Sequence, residues 1–325
     1  MTYKFLDVCA GIGAGRLGLE NNGLMCIAHS EIDKDADTTY RVFFGENENN
    51  LGDLMKIDTS TLPDFDMLIG GFPCQPFSSL GNREGFDDSK GRGQVIFGII
   101  KILKEKNVPY FILENVKGFL SCDNGNAMKT VLEELKNAGY TVYWKLLNSA
   151  DFGVAQRRQR IYIVGIRADI PHTPIDWDIA IHKKATLQES FDDLHGEPVD
   201  IYGKSWQGYL HSKYNEGEFD EEILLSEDYL ILDRRNQQLR IYRDTTPTII
   251  RGNTGLFYVY KHKLYRINGY QALLLQGFSR EFVMKAKKAG INPRKLLMQA
   301  GNAMTVTVIE AICGSLLRSI SADKT

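Results

Sequence analysis

Residues 4–18 read Lys-Phe-Leu-Asp-Val-Cys-Ala-Gly-Ile-Gly-Ala-Gly-Arg-Leu-Gly, and this stretch decides the fold class. The apolar run at its start predicts a strand, and the glycines that follow predict a tight turn into a helix. Gly13, Gly15 and Gly18 satisfy the spacing Gly-x-Gly-x-x-Gly. An acid, Glu31, ends the next predicted strand. This layout is typical of a nucleotide site, although glycine-rich turns also occur for packing alone.

Strands and helices alternate through the first 170 residues. Strands are predicted at Lys4–Cys9, Met25–Ser30, Asp66–Gly70, Tyr110–Glu114, Thr141–Asn148 and Arg160–Gly165. Helices are predicted at Gly15–Asn22, Asp35–Phe44, Gly93–Lys106 and Asn126–Ala138. The alternation predicts an α/β fold, a doubly wound parallel sheet with helices on both faces. From about Asp169 to Tyr242 the chain is irregular, acidic and aromatic, which predicts a second, smaller domain. A last helical segment is predicted from Arg294 to Ser319.

Composition excludes several classes of protein. No stretch reaches the roughly 18 apolar residues of a membrane span, and the N-terminus lacks a signal-peptide pattern. The five cysteines are scattered without a Cys-x-x-Cys pair, and the six histidines form no cluster. We therefore expect no disulfide framework, no metal site, no membrane association and a reducing, cytoplasmic environment.

Charge is distributed unevenly along the chain. Residues 230–325 contain 16 Lys and Arg against 5 Asp and Glu, whereas residues 172–229 contain 14 acids and 4 bases. This charge distribution has two interpretations. In the first, the two segments form solvated surfaces of opposite charge. In the second, the basic segment follows the phosphate backbone of a nucleic acid, and the arginines that face the phosphates are those at positions 234, 235, 240, 243 and 251.

A cysteine stands where open α/β folds place chemistry. Cys74 follows the predicted strand 66–70 and lies between Pro73 and Pro76, which hold the backbone out of regular structure. A thiol at the carboxyl edge of a parallel sheet is suited to a reactive role. The alternative is a cysteine packed in a loop.

Three further stretches carry polar residues at the ends of predicted elements. Phe-Ile-Leu-Glu-Asn-Val at 111–116 ends a strand with a carboxylate, and Gln-Arg-Arg-Gln-Arg at 156–160 begins another with arginines at i and i+2. Gln-Ala-Gly-Asn at 299–302 lies in the last helical segment. Each alone has a structural explanation, as a salt bridge, a solvated edge or a helix cap.

In this order, the motifs resemble those of the DNA (cytosine-5)-methyltransferase family in its compact bacterial or phage form. The match extends over nearly the whole chain and includes Gly-Phe-Pro-Cys-Gln, Glu-Asn-Val and Gln-x-Arg-x-Arg. The resemblance implies a catalytic and cofactor-binding domain at 1–171 and a target-recognition domain at about 172–245. It also implies a C-terminal segment, 246–325, whose last helix returns to the catalytic domain.

The resemblance assigns roles to individual residues. It makes Cys74 the nucleophile, Glu114 the hydrogen-bond partner of ring N3, and Arg160, with Arg158 in some role, the holder of the O2 oxygen. The cofactor is S-adenosylmethionine, with S-adenosylhomocysteine as product. Its implied contacts are Asp7, Cys9, Ala10, Gly11, Gly13, Glu31, Ile32, Asp53, Pro73 and Asn302. The implied substrate contacts are Phe72, Gln75, Asn115 and Gln156.

Two positions depart from the family pattern, and three functions stay open. Cys9 stands where the family usually has Phe, which we expect to loosen the cofactor pocket, and Ala14 replaces the usual second glycine of a pair. The segment 77–93 resembles the family's loop that closes over DNA.

The expected substrate is double-stranded DNA and the expected oligomeric state is a monomer. A cognate restriction endonuclease is expected to form no stable complex with it. The alternatives are a methyltransferase of transfer RNA and, from another class, a nicotinamide-dependent oxidoreductase.

Overall fold

The chain forms two compact units. The computed structural model describes residues 2–73, 95–181, 184–191, 193–252 and 254–321. The first unit comprises Met1–Asn148, Gln159–Ala180 and Ala303–Thr325, and the second comprises Ser149–Arg158 and Ile181–Asn302. Each is built around a sheet of its own.

A six-stranded sheet forms the centre of the first unit, in the order β2-β1-β3-β4-β7-β5. Its strands are β1 Lys4–Val8, β2 Met25–Ser30, β3 Met67–Gly71, β4 Tyr110–Val116, β5 Tyr140–Asn148 and β7 Gln159–Arg167. Its helices are α1 Ala14–Glu20, α2 Lys34–Phe44, α3 Val95–Glu105, α4 Asn126–Asn137 and α11 Val306–Ser321. The pairs β1–β2, β1–β3 and β3–β4 are parallel.

Apolar residues on both faces of the sheet explain the doubly wound class. Leu6 and Leu68 belong to the cluster that includes the buried residues of α3 and α4. On the opposite face, Ile69 lies against α1 at Gly15. Strands buried on both sides read as continuous apolar runs, as here. The predicted fold class is confirmed.

The expectation of a wholly parallel sheet is wrong at one strand. β7 runs antiparallel to both neighbours, β4 and β5. Parallel neighbours need a crossover of a dozen or more residues, usually through a helix. Residues 149–158, which join β5 to β7, are too few to make that crossover, so the chain returns in the opposite direction.

Helix α11 packs against α1. A Cβ at Gly18 of α1 would lie 2.7 Å from Ile309 of α11, so this close approach requires glycine. Asn21 and Asn22 donate hydrogen bonds to the side chain and backbone of Glu310. The helical stretch Pro293–Ser321 is long and apolar enough to span a membrane, but 67% of its most apolar window is buried in the protein. It is weak evidence for a membrane span.

The second unit contains a five-stranded sheet, every pair of which is antiparallel, in the order β10-β9-β12-β13-β8. Its strands are β8 Pro198–Val199, β9 Ile231–Asp233, β10 Arg240–Tyr242, β12 Leu256–Tyr260 and β13 Lys263–Arg266. Two short strands, β6 Gln156–Arg157 and β11 Thr246–Pro247, pair in parallel. The helices are α5 Leu187–Phe191, α6 Lys204–Leu210, α7 Glu221–Leu225, α8 Gly269–Leu275, α9 Arg280–Lys288 and α10 Pro293–Asn302.

Alternation along the strands of the second unit gives it two apolar clusters. Ile231 and Tyr258 belong to one, and Leu232 and Phe257 to the other. Successive residues of a strand face opposite sides of its sheet, so both faces are covered. The predicted C-terminal helix is two helices, α10 and α11, because residues 303–305 interrupt it.

Candidate active site

The carboxyl ends of the parallel strands of the first unit bring the candidate residues to one edge of the sheet. The turn after β1, Glu31 after β2, Phe72 after β3 and Glu114 near the end of β4 all lie there. This is the edge at which open α/β sheets bind ligands. Cys74 and Gln75, with the segment 77–93, lie outside the described residues.

The turn after β1 has an unusual backbone. Cys9, Gly11 and Gly13 adopt positive φ angles of 51°, 56° and 80°. A Cβ at Gly13 would lie 2.3 Å from the ring of Phe44, whereas a Cβ at Gly11 would meet nothing within 4 Å. Gly13 is therefore required for packing, and Gly11 leaves open space in front of its backbone.

The Glu31 carboxylate is held by backbone N–H groups. Oε2 accepts a hydrogen bond from Gly11 at 2.7 Å, and Oε1 accepts one from Asp33 at 2.7 Å. The side chain of Ile32, next in the chain, is 74% exposed. A fixed carboxylate beside an exposed apolar side chain can receive both the hydroxyls and the flat ring of a nucleoside.

Asp7 is a buried acid on the face of β1 opposite Leu6. Neither carboxylate oxygen has a hydrogen bond of regular geometry within the described part of the chain. Burial raises the pKa of Asp7 to about 8, against the opposing charge of Arg16. Burial, together with the charges of Glu31 and Asp7, also raises the pKa of Cys9 to about 12, so this thiol is not a nucleophile at neutral pH.

An ion pair lies at the end of β4. Arg160 Nε is 2.9 Å from Glu114 Oε1, and both side chains are about one-tenth exposed, at 10% and 11%. The N–H of Nε is not aligned with that oxygen as in a regular hydrogen bond. Gly71 pairs with Glu114 across β3 and β4, and a Cβ there would lie 3.4 Å from Glu114 Oε2. The carboxylate therefore lies beside the strand that leads to Cys74.

Asn115 supports this strand end, and its role as a substrate contact stays a prediction. Its Nδ2 donates to the carbonyl of Phe72 at 3.1 Å, and the residue is buried. Phe72 is itself buried with its ring edge-on to Phe119. Both residues hold the chain two positions before Cys74.

Comparison with known proteins identifies the family. The family model "C-5 cytosine-specific DNA methylase" matches residues 3–318. The chain belongs to this family. It is 36% identical to the type II methyltransferase M.HaeII of Haemophilus aegyptius, over 98% of this chain and 94% of that one. It is 35% identical to M.NgoBI of Neisseria gonorrhoeae, over 99% and 96%.

Solved structures show the same fold at lower identity. The DNMT2 of Spodoptera frugiperda superposes with a TM-score of 0.67 at 18% identity, over 97% of this chain and 100% of that one. The methyltransferase EhMeth of Entamoeba histolytica superposes with a TM-score of 0.66 at 16% identity, over 100% of this chain and 99% of that one. The predicted family is thus confirmed, and the oxidoreductase alternative is wrong. The family model, which describes DNA methylases, favours DNA over transfer RNA as the substrate.

Two predicted site residues of this cytosine-5 methylase have structural partners in the second unit. Gln156 is fully buried, donates to the carbonyl of Leu275 and accepts from the N–H of Ile249, both at 2.8 Å. Arg158 is 1% exposed and donates to the carbonyls of Ile249 and Gly301 at 3.1 and 3.2 Å. These hydrogen bonds hold together the backbone segments at residues 249, 275 and 301. Asn302, the exposed last residue of α10, stays a prediction as a cofactor contact.

Several expected phosphate-facing arginines are engaged elsewhere. Arg235 contacts both oxygens of Asp233 at 2.7 and 2.9 Å, and Arg243 contacts Glu227 at 3.0 Å. The guanidinium of Arg234 lies over the rings of Trp206 and Tyr209, 5.0 and 4.7 Å from their centroids. Among the described residues, no group of three or more His, Cys, Asp and Glu is placed to hold a metal ion.

Sequence reasoning missed Asn50, which lies beside Glu31, a predicted cofactor contact. Its side chain bonds to the backbone of Glu31 and Gly52. The available signal was its position, three residues before Asp53, which the family resemblance assigns to the cofactor. Neither helical nor strand periodicity marks a residue whose function is to join loops.

Proposed function

We propose that this protein transfers a methyl group to carbon 5 of a flipped-out cytosine within a specific double-stranded DNA sequence. The observation that carries the proposal is the Glu114–Arg160 ion pair beside Gly71, on the strand that leads to Cys74. A carboxylate and a guanidinium at this position suit the two polar atoms of a cytosine ring, N3 and O2. Family membership supports the same reaction.

Carbon 5 of cytosine is too weak a nucleophile to take a methyl group unaided. The Cys74 thiolate adds to C6, forming a C–S bond and turning the ring into an enamine that is nucleophilic at C5. Glu114, after taking up a proton, donates a hydrogen bond to N3, and Arg160 stabilises the negative charge that develops on O2. C5 then takes the methyl group, whose bond to the donor's sulfur breaks and leaves S-adenosylhomocysteine. A base next removes the C5 proton, the C6–S bond breaks, and the thiolate returns.

The reaction requires the target base to leave the duplex. C6 is inaccessible inside a stacked base pair, so the cytosine is extruded at a cost of about a few kcal/mol. Asn115 and Phe72 keep the strand end in place before Cys74. In this proposal Arg158 and Gln156 act indirectly, by fixing the backbone at residues 249, 275 and 301.

The first unit fits S-adenosylmethionine as the methyl donor. When bound, it supplies an electrophilic methyl group on a sulfonium. The fixed Glu31 carboxylate would hold the ribose hydroxyls, exposed Ile32 would cover the adenine with Asp53 near it, and Gly11 leaves room for the ligand. Asp7, Cys9, Ala10, Gly13 and Pro73 complete the proposed contacts of this unit, and Asn302 is a further proposed contact.

We further propose that the enzyme acts as a monomer in the cytoplasm of a bacterial or phage-infected cell. The proposed catalytic set comes from one chain and needs no second subunit. The relatives include type II methyltransferases and an orphan methyltransferase of Bacillus phage SPR. A cognate restriction endonuclease would therefore share the DNA target without a stable complex.

Transfer of labelled methyl from S-adenosylmethionine tests the proposal, with unmethylated DNA and transfer RNA compared as acceptors. Incorporation into DNA at cytosine C5 is expected, and none under any sequence context would refute the function. In DNA that contains 5-fluorocytosine, C5 carries a fluorine atom in place of the proton that the base must remove. The native protein should then form a stable covalent complex, and Cys74→Ala should form none.

A further inference from the structure

The side chain of Asn50 joins the end of β2 to residues 50–53. Its Oδ1 accepts hydrogen bonds from the backbone N–H of Glu31 at 3.1 Å and of Gly52 at 2.9 Å. Its Nδ2 donates to the carbonyl of Glu31 at 3.0 Å. One amide side chain thus satisfies both backbone groups of Glu31, so the conformation of that residue is fixed on both sides.

Neighbouring hydrogen bonds keep Asn50 in register with the strand. The backbone of residue 50 forms an isolated parallel bridge with His29, and Leu51 donates to the His29 carbonyl at 2.8 Å. The hydroxyl of Ser30 donates to the carbonyl of Gly52 at 2.6 Å. Segment 50–53 is therefore an extension of the sheet edge, and Asn50 stands at its junction with β2.

The connection continues from Asn50 to the glycine turn. Glu31 is the residue whose carboxylate accepts from the N–H of Gly11. Backbone fixed by Asn50 directs that carboxylate, and the carboxylate holds the turn. Three segments proposed to contact the methyl donor, those at Gly11, Glu31 and Asp53, thus depend on one asparagine outside the donor's proposed contacts.

We infer that Asn50 is a positioning residue that presets Glu31 for the ribose hydroxyls of the methyl donor. The inference rests on the proposed function, because it takes that donor as the ligand. Binding is tighter when the groups that meet a ligand are already held in place, since their ordering cost is then paid in folding. Without Asn50, the carboxylate samples other directions and its hydrogen bonds to the ribose weaken.

Binding of S-adenosylhomocysteine and of its 2′-deoxy analogue, measured by calorimetry, tests the inference. We expect roughly tenfold weaker binding of S-adenosylhomocysteine to Asn50→Ala, because the cost of ordering Glu31 then opposes binding. The affinity for the 2′-deoxy analogue should fall less than the affinity for S-adenosylhomocysteine. The ratio of the two affinities, which measures the preference for the full ribose, should therefore be smaller in the variant. Equal weakening of both ligands would show a general structural role and overturn the inference, as would unchanged affinities.

Asn49→Ala is the matched control. Asn49 is exposed, and its backbone carbonyl, which the substitution leaves in place, accepts the hydrogen bond from the N–H of His29. The affinities of Asn49→Ala for S-adenosylhomocysteine and for its 2′-deoxy analogue should both equal those of the native protein. If Asn50→Ala does not fold, Asn50→Asp serves instead, because it keeps the oxygen that accepts both hydrogen bonds and replaces the donating Nδ2 by a charged oxygen. It should also lower the ribose preference, and an unchanged preference contradicts the inference.

Steady-state kinetics gives a second readout. Asn50→Ala should raise the KM for S-adenosylmethionine about tenfold, with kcat at saturating donor within about twofold of native and the KM for DNA unchanged. A fall in kcat with an unchanged donor KM would overturn the positioning role. If the native protein itself binds no S-adenosylhomocysteine, the proposed function fails. If it binds and Asn50→Ala matches it, only this inference fails.

Discussion

Arg160 Nε lies 2.9 Å from Glu114 Oε1, between adjacent antiparallel strands β7 and β4. Val116 is the residue directly opposite Arg160, so the pair is diagonal and its side chains meet at the carboxyl end of β4. The guanidinium keeps the carboxylate beside Gly71. The proposed reaction needs both groups within reach of one ring, and a neighbouring strand pair provides that spacing.

Glu114→Gln should lower kcat by on the order of 10²–10⁴-fold and change DNA affinity far less. The amide keeps the size of the side chain but cannot deliver a proton or carry the charge that pairs with Arg160. Methyl-transfer rates and DNA binding by fluorescence anisotropy measure the two effects. Glu133→Gln, an exposed glutamate of α4, should leave both unchanged. Equal losses of rate and affinity would contradict the role given to Glu114.

Asp7→Asn should stabilise the protein without its ligands, and more so at higher pH. Because burial raises the pKa of Asp7 to about 8, the folded state holds a proton that the unfolded state releases above about pH 4. The contribution of Asp7 to the free energy of unfolding therefore falls as the pH rises from about 4 to 8, and it stays constant above that. Asparagine removes this loss, which is on the order of a few kcal/mol.

Thermal unfolding of Asp7→Asn and native protein between pH 5 and pH 8.5 tests this prediction. The difference in Tm should grow toward pH 8. Asp64→Asn, at a carboxylate 98% exposed, is the control and should show a small difference that pH hardly changes. A Tm difference for Asp7→Asn that is independent of pH would contradict the raised pKa.

Lys287→Gln with Lys288→Gln should make the salt dependence of DNA binding shallower. Both lysines are exposed on α9, and no acidic residue occurs between Glu281 and Glu310. If the basic segment follows phosphates, the slope of log K against log salt should fall by about 1–2. These lysines test it better than Arg234 and Arg235, whose contacts stabilise the fold.

The control for the two lysines is Lys129→Gln with Lys136→Gln on α4 of the first unit. Lys129 is 75% exposed, and its partner Glu133 is 4.0 Å away, so its loss costs little stability. The slope should stay at the native value in this control. An unchanged slope in the α9 double variant would leave the basic segment as a solvated surface.

Cys9→Phe should bind S-adenosylhomocysteine several-fold more tightly than the native protein. The family usually has Phe at this position, and a larger apolar side chain can bury more of the ligand. Cys9 is only partly exposed and lies in the turn that precedes Gly11. Calorimetry measures the dissociation constant of S-adenosylhomocysteine for both proteins. Cys26→Phe cannot serve as the control, because Cys26 contacts Tyr40 and the larger side chain would disturb that packing. An unchanged dissociation constant would show that Cys9 does not loosen the pocket.

The α/β class, the order of the main strands and helices in the first 170 residues, and the family could all be predicted from the sequence. These depend on local periodicity and on motifs of adjacent residues, which any reader of the chain can see. The second unit was predicted only as an irregular region. Its strands are short, two to five residues, and their pairing joins segments far apart in sequence.

The three-dimensional contacts, by contrast, show which of the polar residues hold backbone segments together. Gln156 and Arg158 belong to the motif Gln-x-Arg-x-Arg, yet their hydrogen bonds reach carbonyls that lie about 90 to 145 positions away in the chain. Asn50 has no motif, yet it fixes Glu31. A buried polar side chain must find partners, and the fold alone determines which partners are near. The pattern of residue types therefore predicted the chemistry, and the distances between strands decided its arrangement.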